Sequence, residues 1–213
     1  MTRILKGMVS LALMVVLPIV AVGILVPRVA VEFYARFGLG AWVGLGASVI
    51  TVAVALAVCT RVLPRRSRRR RRPLRPRVLT IVALMVGYCV YAILSISGAN
   101  AKTGEVRREL RTLHPCLRLA VGTAVIGDDT LLLTDIAREP DDYGEMGLAT
   151  RGSSLHYIQD DGYAHAVDLR TKGRSELHNG LTRLYFHALG LHTLRHVGTA
   201  DHLHVALPIS DRR

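Results

Sequence analysis

Three apolar stretches, each about as long as a membrane-spanning helix, dominate the first half of the chain. They cover Met8–Val26, Phe37–Thr60 and Val78–Ser97, and none of them contains Asp, Glu, Lys or Arg. A bilayer core about 30 Å thick needs roughly 20 apolar residues of helix, because lipid offers no partner to an unpaired backbone amide. The sequence therefore predicts three transmembrane helices within residues 1–98.

The distribution of charge divides the chain into two parts. Residues 1–98 carry fourteen basic side chains against one acidic side chain, whereas residues 99–213 carry fourteen against fifteen. Ten arginines fall within Arg61–Arg77. Loops rich in Lys and Arg stay on the cytoplasmic side, so this loop and the N-terminus are predicted inside. The third helix then exits, and residues 99–213 form a domain outside the cytoplasm.

The basic excess of the whole chain, +12, belongs to the membrane region. We therefore expect no nucleic acid partner for the rear domain, which has no basic excess, and expect the arginine-rich loop to contact anionic lipid headgroups. The cysteines Cys59, Cys89 and Cys116 do not suggest a disulfide framework, since two lie in apolar stretches. A cleaved signal peptide is the alternative interpretation of the first stretch.

The rear part is long enough to bury a core of its own. Its pattern predicts a small α+β domain on an antiparallel sheet. The predicted elements, in chain order, are a helix at Thr103–Leu113, strands at Thr130–Thr134 and Ala164–Leu169, a helix at Ser175–Leu189, and a hairpin of Leu191–His196 with His202–Leu207.

The second of these helices has an apolar stripe and a clear stop signal. Gly190 follows its last turn, as glycine often does at helix ends. The stripe, expected to mark the packed side of the helix, consists of Leu177, Leu181, Leu184, Tyr185 and Ala188.

Three short segments carry the residues with metal-binding chemistry. His156 lies in "SLHY", Asp168 in "AVDLRT", and His202 and His204 in "DHLHV" near the C-terminus. Two imidazoles and one carboxylate from separate strands or loops are what a catalytic zinc needs, because three protein ligands leave a fourth position for water. The mixed nitrogen and oxygen ligand set also admits other divalent ions.

These segments, in this order, resemble the zinc D-alanyl-D-alanine carboxypeptidases and the phage L-alanyl-D-glutamate endopeptidases, which share a fold with the hedgehog signalling domain. Upstream, "LHPCLR" and "LLLTDIAREP" are similar to the end of the family's leading helix and to its Thr-Asp strand. The resemblance covers roughly Leu113–Leu207 and none of the membrane region. It implies that His156, Asp168 and His204 bind one zinc ion.

The resemblance also implies roles for four other residues. Asp201, three positions before the last ligand, would be the general base, and Arg138 would stabilise the oxyanion. Ser154 would orient a ligand, and His202 would contact substrate or support a ligand.

The chain departs from the family pattern between the first two ligands. His156 and Asp168 are twelve positions apart, farther than in the family, as though Ile158–Gly162 were inserted. Loops absorb such insertions at small cost. His165 is the alternative ligand, although strand alternation directs it away from Asp168.

The functional prediction is a membrane-anchored zinc peptidase that cleaves peptidoglycan stem peptides, as a D-alanyl carboxypeptidase or an endopeptidase. Two alternatives stay open at this point. One is a zinc-binding module that recognises the wall without turnover. The other is a lysis factor whose spans permeabilise the membrane.

Overall fold

The computed structural model describes residues 22–62, 74–145, 147, 153–198 and 201–208. Over these residues, helices form the first half of the chain, and helices around a four-stranded antiparallel sheet form the second. The predicted α+β class with a small antiparallel sheet is therefore confirmed.

Helix α1 covers residues 22–37 and extends beyond the first predicted span. The sequence interpretation placed a connection there, because Arg28, Glu32 and Arg36 follow the apolar stretch. The structure continues the helix through all three, and Glu32 forms ion pairs with both arginines at i,i+4 spacing. Such pairs stabilise a helix by roughly 0.2–0.5 kcal/mol each. The span Met8–Val26 lies outside the described residues except for its last five positions.

The second and third predicted spans correspond to two long helices, α2 (Ala41–Val62) and α3 (Leu74–Ser95). Each contains a stretch that is long and apolar enough to cross a membrane, Ala41–Cys59 in α2 and Val78–Ser95 in α3. The arginine-rich loop between them falls largely outside the described residues.

The rear domain begins with a 3-10 helix, Gly98–Asn100, and a short helix, α4 (Gly104–Glu109). Helix α4 lies inside the predicted helix at Thr103–Leu113. The side chain of Thr103 caps it by accepting a hydrogen bond from the backbone N–H of Val106.

Helix α5 (Pro115–Gly127) was not predicted, because His114-Pro115 was interpreted only as the end of the preceding helix. Proline fits the first position of a helix, where its missing N–H costs nothing. His114 is the N-cap, and its Nδ1 accepts a hydrogen bond from the Cys116 N–H. Most of α5 is buried, so its sequence shows no polar face and no amphipathic period.

The sheet contains β1 (Leu133–Asp135), β2 (Ala166–Arg170), β3 (His192–His196) and β4 (His202–Ala206). Its strand order is β1-β2-β4-β3, and all neighbouring pairs are antiparallel. The strand predicted at Ala164–Leu169 and the final hairpin are confirmed with small shifts at their ends, whereas β1 begins three residues later than predicted. A short helix, α6 (Pro140–Glu145), lies between β1 and β2.

Helix α7 (Glu176–Ala188) has the boundaries that its sequence signals indicate. The Ser175 side chain caps its first turn by accepting from the His178 N–H. Gly190 adopts a φ of 80° just after the helix, a conformation that glycine reaches without steric cost.

The predicted packing face of α7 is wrong for its three leucines, although Tyr185 from the same stripe packs against the core. Asn179 and Phe186 lie on the buried side of the helix. The exposed fractions of Leu177, Leu181 and Leu184 are 71%, 54% and 62%. Helix α7 therefore has apolar residues on two opposite sides, and periodicity alone does not decide which side meets the core.

Candidate metal centre

Strands β2 and β4 bring the first two candidate ligands together. Asp168 and His204 are direct cross-strand partners. Paired residues project from the same face of a sheet, because side chains alternate along each strand. The Nδ1 of His204 lies 2.9 Å from the Oδ1 of Asp168. We call this side of the sheet the site face.

His156 reaches the site face from the turn before β2. Its Nδ1 lies 2.8 Å from the backbone oxygen of Ile136. A carbonyl oxygen only accepts hydrogen bonds, so Nδ1 carries the proton and Nε2 keeps its lone pair when the ring is neutral. That Nε2 lies 3.2 Å from the Nδ1 of His204 and 3.4 Å from the Oδ1 of Asp168. The backbone of Ile136 thus sets the tautomer that metal ligation requires.

The three ligand atoms form a triangle of the size that a metal ion requires. Its sides are 2.9, 3.2 and 3.4 Å, and a tetrahedral zinc with bonds of about 2.0–2.1 Å separates its ligands by about 3.3 Å. His156 and Asp168 are buried, whereas His204 keeps 25% of its side chain exposed. The triad His156, Asp168 and His204 could therefore hold one metal ion that solvent reaches beside His204.

The electrostatics of the cluster keep Asp168 ionised. Burial by itself raises the pKa of this carboxyl group, but the neighbouring imidazoles of His156 and His204 outweigh burial and hold the pKa well below its usual range. Arg138, which follows β1, adds a charged contact, since its Nη2 donates to the Oδ2 of Asp168 at 2.8 Å. A second carboxylate, that of Asp135, accepts from Arg138 Nε at 2.6 Å. The arginine implied by the resemblance is thus at the cluster.

A hydroxyl chain supports both His156 and Arg138. The Tyr143 hydroxyl donates to Ser154 Oγ at 2.7 Å, and Ser154 Oγ accepts from the backbone N–H of His156 at 3.2 Å. Arg138 lies 5.4 Å from the Tyr143 ring centroid. Ser154 was expected beside His156, whereas Tyr143 was missed because no motif spacing marks it.

The apparent insertion does not displace His156. The loop that contains the extra residues begins and ends at the same place, because the backbone N–H of His165 donates to the backbone oxygen of Leu155 at 2.7 Å. Between them, Ile158 pairs with Ala164, and Gly162 turns the loop with a φ of 81°. We call residues 158–164 the excursion.

The carboxylate of Asp201 has its hydrogen-bond partners outside the cluster. Its Oδ1 accepts from Thr171 at 2.6 Å, and its Oδ2 accepts from Arg195 at 2.9 Å. The hydrogen bond from Arg195 has the larger effect and that from Thr171 the smaller, and together they lower the pKa of Asp201 to about 2. The physical reason is strand alternation: Arg195 is the register partner of Leu203, on the face opposite to His204.

His202 does lie at the cluster, with its Nε2 3.6 Å from the Oδ2 of Asp168. Its ring stacks on that of His196 with centroids 4.8 Å apart. Leu194, the register partner of His204, is 56% exposed on the site face. Sequence reasoning missed His196 and Leu194, because only the β3–β4 register brings them beside the site.

A second triad, His114, Asp161 and His165, also has the spacing to hold a metal ion. His165 Nε2 lies 2.9 Å from Asp161 Oδ2, so the alternative ligand belongs to this other cluster. Burial and the neighbouring His165 lower the pKa of His114 to about 4, which keeps its ring neutral. Because its Nδ1 accepts from Cys116, Nε2 carries the proton and is a poor ligand. The first triad is the better metal centre.

Aromatic side chains of the first two helices contact the excursion and His165, the residue that follows it. The Tyr34 hydroxyl of α1 lies 3.2 Å from His165 Nδ1, and Trp42 Nε1 of α2 donates to the Tyr163 hydroxyl at 3.0 Å. The excursion and His165 therefore join the rear domain to α1 and α2, a contact that no local sequence pattern indicates.

Comparison with protein-family models, curated proteins and solved structures finds no match for this chain. The metallopeptidase resemblance therefore rests on the residues and their geometry.

Proposed function

We propose that this protein is a membrane-anchored zinc metallopeptidase that cleaves peptidoglycan stem peptides outside the cytoplasm. The triangle of His156 Nε2, Asp168 Oδ1 and His204 Nδ1 carries the proposal, since its sides fit a tetrahedral ion. Two imidazoles and one carboxylate are a ligand set of catalytic zinc sites, with the fourth position free for water.

Each residue of the cluster has a defined task in this proposal. When bound, zinc supplies Lewis-acid chemistry, which acidifies water and polarises a scissile carbonyl group. Asp168 stays ionised, and His156 is held by Ile136 with its Nε2 available. Arg138 places a guanidinium beside the cluster, where a fixed positive charge opposes the negative charge that develops on the carbonyl oxygen.

The proposed substrate and location follow from the resemblance together with the charge pattern. Three spans with the arginine-rich loop inside would leave the rear domain outside, on the side where wall peptides lie. The family resemblance points to a terminal D-alanine or a bond beside a D-residue. Anionic lipid headgroups are the proposed contact of Arg61–Arg77.

The direct test uses the full-length chain in detergent or in vesicles, loaded with zinc. We expect release of D-alanine or of stem-peptide fragments from cell walls, and loss of this release in His204→Ala. His187→Ala is the matched control, because His187 is exposed on α7, away from the cluster. Normal turnover by His204→Ala would refute the proposed site.

Asp201 as general base needs a separate test, because its carboxylate now binds Arg195 and Thr171. If Asp201 accepts the proton of the attacking water, Asp201→Asn lowers kcat by about 10²–10⁴ and leaves zinc content unchanged. An unchanged kcat would remove Asp201 from the mechanism.

The engagement of Asp201 favours a second candidate, a zinc-binding module that recognises the wall without turnover. This candidate predicts stoichiometric zinc, no hydrolysis of any wall peptide, and a melting temperature that falls on chelation. Hydrolysis that depends on His204 would exclude it.

A further inference from the structure

Helix α7 presents an apolar face to the outside of the molecule. We call this the leucine face, and it consists of Leu177, Leu181, Leu184 and Ala188. The three leucines are at least half exposed, while Phe186 on the opposite side is fully buried. Large exposed apolar faces on a folded domain mark contacts with a partner or with a membrane.

The position of α7 relative to the spans indicates which of these covers the leucine face. Tyr185 of α7 donates from its hydroxyl to the backbone oxygen of Ala120 in α5 at 3.1 Å. One turn further along α5, Thr123 Oγ1 lies 2.8 Å from the hydroxyl of Tyr88 in α3. Helix α7 therefore packs on a helix that itself packs against a membrane-spanning candidate.

The contacts between α5 and α3 lie within the apolar part of α3. Tyr88 precedes the end of α3 at Ser95 by about two turns, or about 10 Å along the axis. Ser95 Oγ donates to the oxygen of Gly122 in α5 at 3.1 Å. If α3 crosses a bilayer, α5 and the adjoining side of α7 lie at the depth of the membrane boundary.

Other apolar side chains are exposed at the same level. Tyr91 and Leu94 near the end of α3 are 62% and 70% exposed, and Ile126 at the end of α5 is 43% exposed. A helix lying in the membrane interface buries such residues in the acyl boundary and keeps its polar side in water. A lipid surface accounts for all of these exposed groups together.

We propose that the leucine face of α7 lies in the lipid interface of the leaflet next to Ser95. This inference rests on the proposed membrane crossing of α3 and is independent of peptidase activity. Glu176 of α7 pairs with Arg195, on the face of the sheet opposite to His204. The contact would therefore hold the domain with its site face turned away from the lipid.

The test measures quenching of a thiol-attached fluorophore by acyl-chain-brominated phosphatidylcholine, with the full chain in phosphatidylcholine–phosphatidylglycerol vesicles. Every variant carries Cys59→Ser, which removes the exposed native thiol. Cys89 and Cys116 stay because they are buried. Leu181→Cys tests the leucine face. Leu84→Cys, 70% exposed on α3, is the lipid control, and Lys172→Cys, exposed before α7, is the aqueous control.

We expect a loss of fluorescence at position 181 close to that at position 84, and none at position 172. Quenching at 84 without quenching at 181 would overturn the inference and leave the span in place. Absence of quenching at both position 84 and position 181 would contradict the membrane crossing of α3, and the inference that rests on it would fall as well. Protection of position 181 from both brominated lipid and aqueous iodide would assign the face to a second copy of the chain, which also overturns the inference. Zinc content, measured in parallel, reports separately on the proposed metal centre.

Discussion

At the scale of single residues, the cluster depends on the balance of charge around one buried carboxylate. Asp168 is 5% exposed and has Arg138 as its cationic partner, with the imidazoles of His156 and His204 on its other oxygen. Removing one partner of a buried ion pair leaves an uncompensated charge and costs about 3–5 kcal/mol. A metal ion would supply positive charge to the same carboxylate.

The first prediction follows from that balance. Arg138→Ala is expected to lower the free energy of unfolding of the metal-free protein by about 3–5 kcal/mol. Zinc is expected to raise the melting temperature of this variant more than that of the original chain, because the ion compensates Asp168. Thermal unfolding with zinc and with a chelator measures both, and an equal zinc shift in the two proteins would contradict the prediction.

Tyr143 contacts Ser154 through its hydroxyl group, so a variant that loses only this group is informative. Tyr143→Phe removes the donor to Ser154 and keeps the ring near Arg138. We expect about 10–100-fold weaker zinc affinity, as for other groups that orient metal ligands. Competition with a chelating dye measures the affinity. Tyr91→Phe, with its exposed ring on α3, is the matched control, and equal affinities in the two variants would refute the supporting role.

At the scale of secondary structure elements, the packing of α5 on α3 connects the rear domain to the apolar helices. A Cβ on Gly122 would lie 1.9 Å from the backbone oxygen of Ala92. No real Cβ approaches a backbone atom that closely, so the two helices would have to separate. Gly127, at the end of α5, has open space where its Cβ would lie.

We therefore expect Gly122→Ala to destabilise the protein by about 1–3 kcal/mol, the usual cost of overpacking. Gly127→Ala is expected to leave stability unchanged or slightly increased, because alanine favours helix over glycine. Denaturation of both variants in the same detergent makes the comparison. A Gly122→Ala protein as stable as the Gly127→Ala protein would show that the helices do not pack this closely.

At the scale of the whole molecule, the proposed orientation depends on the arginine-rich loop. A reporter enzyme that is active only outside the cytoplasm, fused after the C-terminus, is expected to be active. Replacing the ten arginines of Arg61–Arg77 by glutamine should lower that activity, because the positive charge that retains the loop is lost. A second reporter enzyme, one that works only in the cytoplasm, is fused at the same point. Activity of this second reporter would reverse the proposed topology.

Several features of this protein could be predicted from its sequence. The charge-free runs indicated α2 and α3, since length and composition alone decide whether a helix can cross a bilayer. Ser175 and Gly190 fixed the ends of α7 by local capping and backbone preference. The order of the segments around His156, Asp168 and His204 named the three side chains that the fold brings together.

Tertiary contacts decided what local patterns leave open. Only the packing of α7 against the rest of the domain determines that Phe186 is buried and Leu181 is exposed, because α7 is apolar on two sides. Only the strand register places Arg195, the partner of Asp201, on the face opposite to His204. Likewise, the closure of the excursion at Leu155 and His165 keeps His156 opposite Asp168. Spacing along a chain specifies which side chains are available, whereas the direction in which each one points is set by the neighbours that it meets in the fold.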